Sequence, residues 1–153
     1  MDRQAHIREL NDLYQLMADG RKGYSEASKR AEKPRIKELL AELSARREGL
    51  EDRLGNEIRR FKPDDHTQEG TLKGVLHRAW IDIRESIGKS DDVSVLDECE
   101  RGERYLLERM DSVIKDQEVA ADSRAMLTLL RADVEKDLSL LIALRSALGS
   151  VDR

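Results

Sequence analysis

Charged residues stand at positions that the apolar spacing of this chain assigns to a hydrophobic core. Arg47 follows Leu43 by four residues, and Glu103 follows Cys99 by four, within runs of apolar residues spaced three or four apart. Such spacing is typical of the buried face of a helix. Both side chains are therefore predicted to point inward, where a charge needs a partner of opposite sign.

Two further charges lie near the same level. Asp137 is close to the inner face of the last helical segment, and Arg21 flanks the inner face of the first. Counting from the turns places all four within about one turn of each other. We expect Arg47 to pair with Glu103. The predicted buried polar layer comprises Arg21, Arg47, Glu103 and Asp137. The alternative is that the helices are slightly rotated and their long side chains reach water.

The carboxylates raise the question of a metal site. Di-iron bundles use a Glu from each of two helices and a Glu-x-x-His motif from each of the other two. The three histidines are His6, His66 and His77, and none follows a glutamate by three residues. Arg47 adds a fixed positive charge at the depth where the ions would sit. We therefore expect no metal and no cofactor.

A site made of carboxylates alone is the remaining metal hypothesis. Glu100 and Glu103 form a Glu-x-x-Glu pair, which Glu26 or Glu135 would complete. The other interpretation, which we favour, makes Glu100 a solvated residue at the flank of the helix. Cys99 is predicted to be a small core residue and not a nucleophile, because no histidine lies near it in register.

The apolar spacing predicts five helical segments along the chain. Pro34 opens the second, since proline is tolerated in a first turn. The polar stretch 62–69 contains Pro63 and is predicted to be a loop. Asp91 or Asp92 is expected to cap the fourth segment. The segments run from about Gln4 to Ala31, Pro34 to Phe61, Thr71 to Ile87, Val93 to Lys115 and Glu118 to Leu148.

The order of long and short segments favours a specific topology. Short turns make the helices of each long pair antiparallel neighbours. A loop of about eight residues and a helix of about 17 can span a bundle between the two pairs. We expect an all-α, ferritin-like antiparallel four-helix bundle with an additional short helix in the crossover between long helices 2 and 3, as a single domain over residues 1–153. The alternative is a plain up-and-down bundle with the short helix packed on its side.

The short segment carries two residues of interest, His77 and Trp80. We expect them to anchor the crossover helix on the bundle, with Trp80 docking and His77 hydrogen-bonded to a neighbouring helix. A ligand or proton-transfer role for His77 is the alternative. Ile81 points away from the apolar face of this segment and is a candidate subunit contact.

Composition restricts the class of protein. Charged residues make up 39% of the 153 residues, and the net charge is −4 with the two signs interleaved. The sequence has no basic block or stripe, so we do not expect nucleic acid as a partner. A single cysteine, an N-terminus without the pattern of a signal peptide, and the lack of an apolar run of about 20 residues predict a cytoplasmic protein without a membrane span. Weak association with membranes through an amphipathic helix is a further hypothesis, but the acidic balance argues against binding to anionic lipids, so we expect no membrane partner.

The chain also resembles a known family, the small bacterial ferritin-like four-helix-bundle proteins classed as a domain of unknown function. The similarity extends from about Ile7 to Arg145. Its most specific pieces are residues 76–81 (LHRAWI) and 98–103 (ECERGE), joined by residues 10–13 (LNDL) and 19–24 (DGRKGY). The family often carries a histidine near Leu138, which this chain lacks. The resemblance implies a ferritin-like fold and a bacterial origin, and it brings no known activity.

These observations favour a non-catalytic helical bundle of unknown role, with a role in stress as one option. Apolar residues off the main helix faces, Ile81, Leu129 and Leu140, favour a homodimer or a larger homo-oligomer. An unknown protein partner is the other form of association. The alternative function is a divergent metal-binding ferritin-like oxidoreductase that uses Glu100 and Glu103.

Overall fold

The computed structural model describes residues 3–62 and 91–151. These residues form four α-helices and no strand, which confirms the predicted all-α class with four long helices. The predicted short helix, with His77, Trp80 and Ile81, lies outside the described residues. The helices are α1 (Arg3–Arg30), α2 (Pro34–Phe61), α3 (Asp92–Lys115) and α4 (Ala121–Val151).

Local hydrogen bonds explain where the later helices begin. At the start of α3, the Asp91 carboxylate accepts a hydrogen bond from the backbone N–H of Ser94 at 2.7 Å, as an N-cap residue does. Helix α4 begins later than predicted. Asp116 accepts from the N–H of Glu118 through its side chain (2.9 Å) and from the N–H of Val119 through its carbonyl (3.1 Å). These bonds hold the chain in a turn up to residue 120.

The core divides into two apolar clusters at opposite ends of the bundle. One contains Tyr24 near the end of α1, Leu40 near the start of α2, Val95 near the start of α3 and Leu148 near the end of α4. The other joins the start of α1 and α4 to the end of α2 and α3. Helices α2 and α3 therefore run in the same direction, and α1 and α4 run in the opposite one.

A buried carboxylate holds the start of α3 against the α1–α2 turn. Asp92 accepts hydrogen bonds from the backbone N–H groups of Glu32 (2.7 Å) and Lys33 (3.1 Å). These groups precede the first turn of α2 and have no partner within that helix. Since α2 ends at the far end of the bundle, the two residues that flank the undescribed stretch, Lys62 and Asp91, lie at opposite ends.

Each helix packs mainly against two neighbours. Helix α1 contacts α2 and α3, and α4 contacts α3 closely and α2 more loosely. Helices α2 and α3 therefore face each other across the centre, as do α1 and α4. This arrangement lets side chains from α2 and α3 meet on the bundle axis. Within the described ranges, no helix combines the length and hydropathy that a membrane crossing requires.

Candidate functional site

A guanidinium and a carboxylate meet on the axis of the bundle, between the two apolar clusters. Nη2 of Arg47 on α2 donates to both carboxylate oxygens of Glu103 on α3, at 2.8 and 2.6 Å. Both side chains are 0% exposed. Charge-assisted hydrogen bonds of this kind are about twice as strong as neutral ones. Because both side chains are buried, their pairing compensates for the hydration that the two charges lose in the core.

A second carboxylate completes the layer from α4. Asp137 is 1% exposed, and its Oδ2 lies 3.7 Å from Nη2 of Arg47. Its Oδ1 lies 2.9 Å from Nη2 of Arg46, a residue that is 40% exposed. Two guanidiniums therefore face two carboxylates, and Arg46 brings its charge from the surface. We call Arg46, Arg47, Glu103 and Asp137 the ionic layer.

Tyr24 of α1 covers the guanidinium of Arg47. The Cζ atom of Arg47 lies 5.5 Å from the centre of the buried ring, within the range of a cation–π contact. Among the described residues, Nε and Nη1 of Arg47 find no hydrogen-bond partner. The ring face is the compensation that the structure offers to this part of the guanidinium. Burial raises the pKa of the Tyr24 hydroxyl well above its usual value.

Burial and charge act differently on the two ends of the layer. Burial alone would lower the pKa of Arg47, but Glu103, Tyr24 and Asp137 raise it above its ordinary value, so this residue stays charged. Burial raises the pKa of Asp137 to about 6, although Arg46 and Arg47 oppose the shift. The layer therefore contains a buried guanidinium, that of Arg47, which stays charged, and a carboxyl group, that of Asp137, which gains a proton in weak acid.

An open cleft leads from solvent to Asp137. It lies between α2 and α4, has a volume of about 280 Å³, and is lined by Arg46, Gly49, Leu50, Arg53, Asp133 and Asp137. Arg53 and Asp133 pair across it at 3.3 Å. A Cβ atom on Gly49 would meet no other atom within 4 Å. The cleft is therefore open space beside Gly49, and protons can reach Asp137 from water through it.

Arg21 lies outside the layer, contrary to the expectation from the sequence. Its Nε donates to Oε1 of Glu51, and its side chain is 34% exposed while that of Glu51 is 6% exposed. The neighbouring Gly20 occupies the buried position. Arg21 is one residue further round the helix, where it reaches a carboxylate on α2 instead of the axis. Burial raises the pKa of Glu51, against the effect of Arg21.

The carboxylates considered for a metal site have other partners. Both oxygens of Glu103 accept from Arg47, and Glu100 accepts from Nε of Arg104 on the surface at 2.9 Å. Glu26 and Glu135 pair with arginines of their own helices, at 3.2 and 2.7 Å. Within residues 3–62 and 91–151, no group of three or more His, Cys, Asp or Glu side chains is placed to hold an ion. The described residues therefore do not fit a di-iron centre.

Cys99 lies one turn before Glu103 and is fully buried. Burial raises the pKa of its thiol far above the usual value, with smaller contributions from Glu103 and Glu98. The thiolate is the nucleophilic form of cysteine. Cys99 is therefore an inert residue of the core in this fold.

A second polar cluster, which the sequence pattern did not predict, lies at one end of the bundle, where the start of α1 and α4 meets the end of α2. Ser123 is fully buried, donates to Oε2 of Glu57 at 2.5 Å and lies 3.4 Å from Nε2 of His6. The ring of His6 contacts Phe61 edge to face, at 4.5 Å between centres. The signal was available, because His6 precedes Leu10 by four residues in the core register. Because the Ser123 hydroxyl donates its hydrogen bond to Glu57, it does not donate one to His6 as a catalytic serine would.

Comparison with known proteins gives one match. A search of the curated proteins and of the solved structures found none that matches this chain. A family model matches residues 5–116, which hold nearly all of α1 and the whole of α2 and α3, including Arg47 and Glu103. Helix α4, with Asp137, begins beyond the matched part. The match covers well over half of the chain, which therefore belongs to the family described as Domain of unknown function (DUF2383).

Proposed function

We propose that this protein is a non-catalytic, ferritin-like helical bundle that acts by association, as a homo-oligomer. The observation that carries the proposal is the position of the exposed apolar side chains. Among the described residues, the large exposed hydrophobic ones are Leu129 (62%), Leu140 (38%) and Ile142 (38%), and all three lie on α4. A concentration of exposed apolar side chains on one helix favours that helix as the site of a protein–protein contact.

The outer faces of the other helices differ from that of α4. The exposed side of α2 carries Glu38, Glu42, Asp52 and Arg59, among other charges. The exposed side of α3 is also charged, with pairs such as Arg101–Glu98 at 2.8 Å. Charged residues of both signs keep a surface solvated. The contrast supports α4 as the part of the described surface at which a partner would bind.

The ionic layer supports a structural role for the bundle interior. The guanidinium of Arg47 holds the position between Glu103 and Asp137 that a cation would need. A metal-binding oxidoreductase would require Glu103 to release Arg47, which would leave a buried guanidinium without its partner. We therefore favour a role in association over a metal-dependent reaction at the ionic layer.

The direction of the helices supports the ferritin-like relationship. Ferritin-like bundles join two antiparallel hairpins by one long crossover, which makes the second and third long helices parallel. Here α2 and α3 run in the same direction and begin at the same end of the bundle. A cytoplasmic location, a bacterial origin and a role in stress remain predictions from the sequence.

Light scattering coupled to size-exclusion chromatography tests the proposal. We expect a mass that is a multiple of 17.5 kDa at micromolar concentration, from protein purified without chelators. Elemental analysis of the same sample is expected to show no transition metal at a stoichiometric level. A clean monomer would overturn the proposal of self-association, and a stoichiometric metal would overturn the non-catalytic part of it.

A further inference from the structure

The solvent side of α4 carries a line of exposed residues that we call the α4 outer stripe. Successive members are four, three, four, four, three and four residues apart, so the spacing is the same in both directions from Lys136. Lys136 is also the only charged member. The stripe is about 33 Å long from end to end, at 1.5 Å per residue. The stripe consists of Ala125, Leu129, Ala132, Lys136, Leu140, Ala143 and Ala147.

We propose that a second copy of the chain covers this stripe, with the two α4 helices packed antiparallel about a two-fold axis at Lys136. The inference rests on the self-association proposed above and adds the surface and the register. In a two-fold interface each residue meets its counterpart by symmetry, so the surface must be complementary to itself. A spacing that reads equally in both directions satisfies this condition.

The side chains of the stripe are complementary in size when one helix is reversed. Leu129 then faces the partner subunit's Ala143, and Leu140 faces the partner subunit's Ala132. Each large side chain meets a small one, which is what packing of one helix against another requires. The two ends of the stripe meet as Ala125 against the partner subunit's Ala147. Small residues at these positions allow the helices to approach closely.

The charges near the axis are compatible with this register. The two Lys136 side chains would lie near each other at the centre, and the exposed Glu135 is adjacent to each of them. Each lysine can reach the partner subunit's Glu135, so the pair of contacts is reciprocal. Glu135 also accepts from Arg131 of its own helix at 2.7 Å. The rest of the stripe is uncharged, so no unpaired charge would be buried.

Disulfide cross-linking tests the position of the axis. The variant Lys136→Cys brings two thiols together at the axis, where their Cβ atoms would lie within the range of a disulfide. Under a mild oxidant such as copper–phenanthroline, we expect at least ten times more covalent dimer than from Glu38→Cys, which is also an exposed position, on α2. The native Cys99 is 0% exposed and serves as the internal background.

A size-swap experiment tests the register independently. Ala143→Leu alone should weaken the dimer at least tenfold, because the new side chain opposes the partner subunit's Leu129. The combination of Ala143→Leu with Leu129→Ala exchanges the large and the small side chain and should restore dimerisation. Far-ultraviolet circular dichroism of each variant checks that the bundle remains folded.

The outcomes separate the two proposals. A monomeric wild-type protein would overturn both the self-association and this register. A wild-type dimer with no preferential cross-link at position 136 and no rescue by the size swap would overturn the α4–α4 interface and leave the self-association intact. A dimer that cross-links at position 136 and responds to the size swap would support the interface.

Discussion

The ionic layer and the outer surface of α4 each differ in polarity from what their position predicts. The ionic layer is buried but charged, whereas the outer surface of α4 is exposed but carries apolar side chains. The ionic layer lies in the interior between the two apolar clusters, where Arg47 and Glu103 are fully buried and Arg46 reaches Asp137 from the surface. The outside of α4 has free access to water and carries Leu129 at 62% exposure. A buried charge is retained by its partner within the chain, whereas an exposed apolar side chain lacks one. The charges of the ionic layer are paired within the chain, although Nε and Nη1 of Arg47 find no hydrogen-bond partner among the described residues. For the exposed apolar side chains of α4, we propose a second molecule as the partner.

The largest expected effect comes from removing one member of the buried pair. Glu103→Leu leaves Arg47 charged in a dry environment, so we expect the free energy of unfolding to fall by about 3–5 kcal/mol. Urea denaturation followed by circular dichroism measures it. The matched control is Glu100→Leu, the same change one turn away at a surface pair with Arg104, where a loss below about 1 kcal/mol is expected. Equal losses in the two variants would show that Arg47 does not depend on Glu103.

Removing both members of the pair should recover much of that loss. In the double variant Arg47→Met with Glu103→Leu, no buried guanidinium is left without a partner, and the apolar side chains fill a similar volume. Replacing a buried ion pair by apolar residues is often neutral or stabilising. We expect the double variant to be more stable than Glu103→Leu by at least about 2 kcal/mol. Additive losses in a double-mutant cycle would contradict a direct coupling of the two residues.

The third effect is smaller and depends on pH. The pKa of Asp137 is about 6 in the folded chain, above its ordinary value of 3.8, so the folded state binds the proton more tightly than the unfolded state. Protonation therefore stabilises the fold. This contribution is complete below the unfolded value and is lost as the pH rises through 6. The groups that face Asp137 are Arg46 and Arg47 from α2, Glu103 from α3, and Asp133 from its own helix.

The comparison of wild type with Asp137→Asn isolates this contribution from other titrating groups. The asparagine cannot ionise, so the wild type should gain about 1 kcal/mol relative to the variant between pH 7 and pH 5. Urea midpoints at the two pH values provide the measurement. The two proteins would keep a constant difference if the carboxyl group of Asp137 retained its ordinary pKa in the fold.

The spacing of apolar residues in the sequence was sufficient to predict most members of the ionic layer. Arg47 and Glu103 stand in apolar runs with helical spacing, which predicts an inward position, and both are fully buried in the structure. Their pairing across the centre then follows from charge. The register also predicts the bounds of α2, because Pro34 marks its start. These features depend on periodicity within single helices, which a sequence shows directly.

The features that escaped the sequence depend on contacts between helices. Arg46 lies outside the core register and reaches Asp137 because its side chain is long and the α2–α4 cleft is open. Arg21 was expected in the ionic layer, but it lies one residue round the helix from the buried Gly20 and pairs with Glu51 on α2. The late start of α4 follows from the side chain of Asp116. The periodicity of a sequence does not show with which of several nearby carboxylates an arginine will pair.

The smallest expected effect concerns the outer half of the comparison. Leu129→Gln replaces an exposed apolar side chain by a polar one of similar size, so the free energy of unfolding should change by less than about 0.5 kcal/mol at a concentration where the protein is monomeric. The matched control is Leu127→Gln, two residues away and 0% exposed, where a loss of about 2–5 kcal/mol is expected. Similar losses at the two positions would mean that Leu129 is covered within its own chain, and α4 would then offer no apolar surface to a second copy.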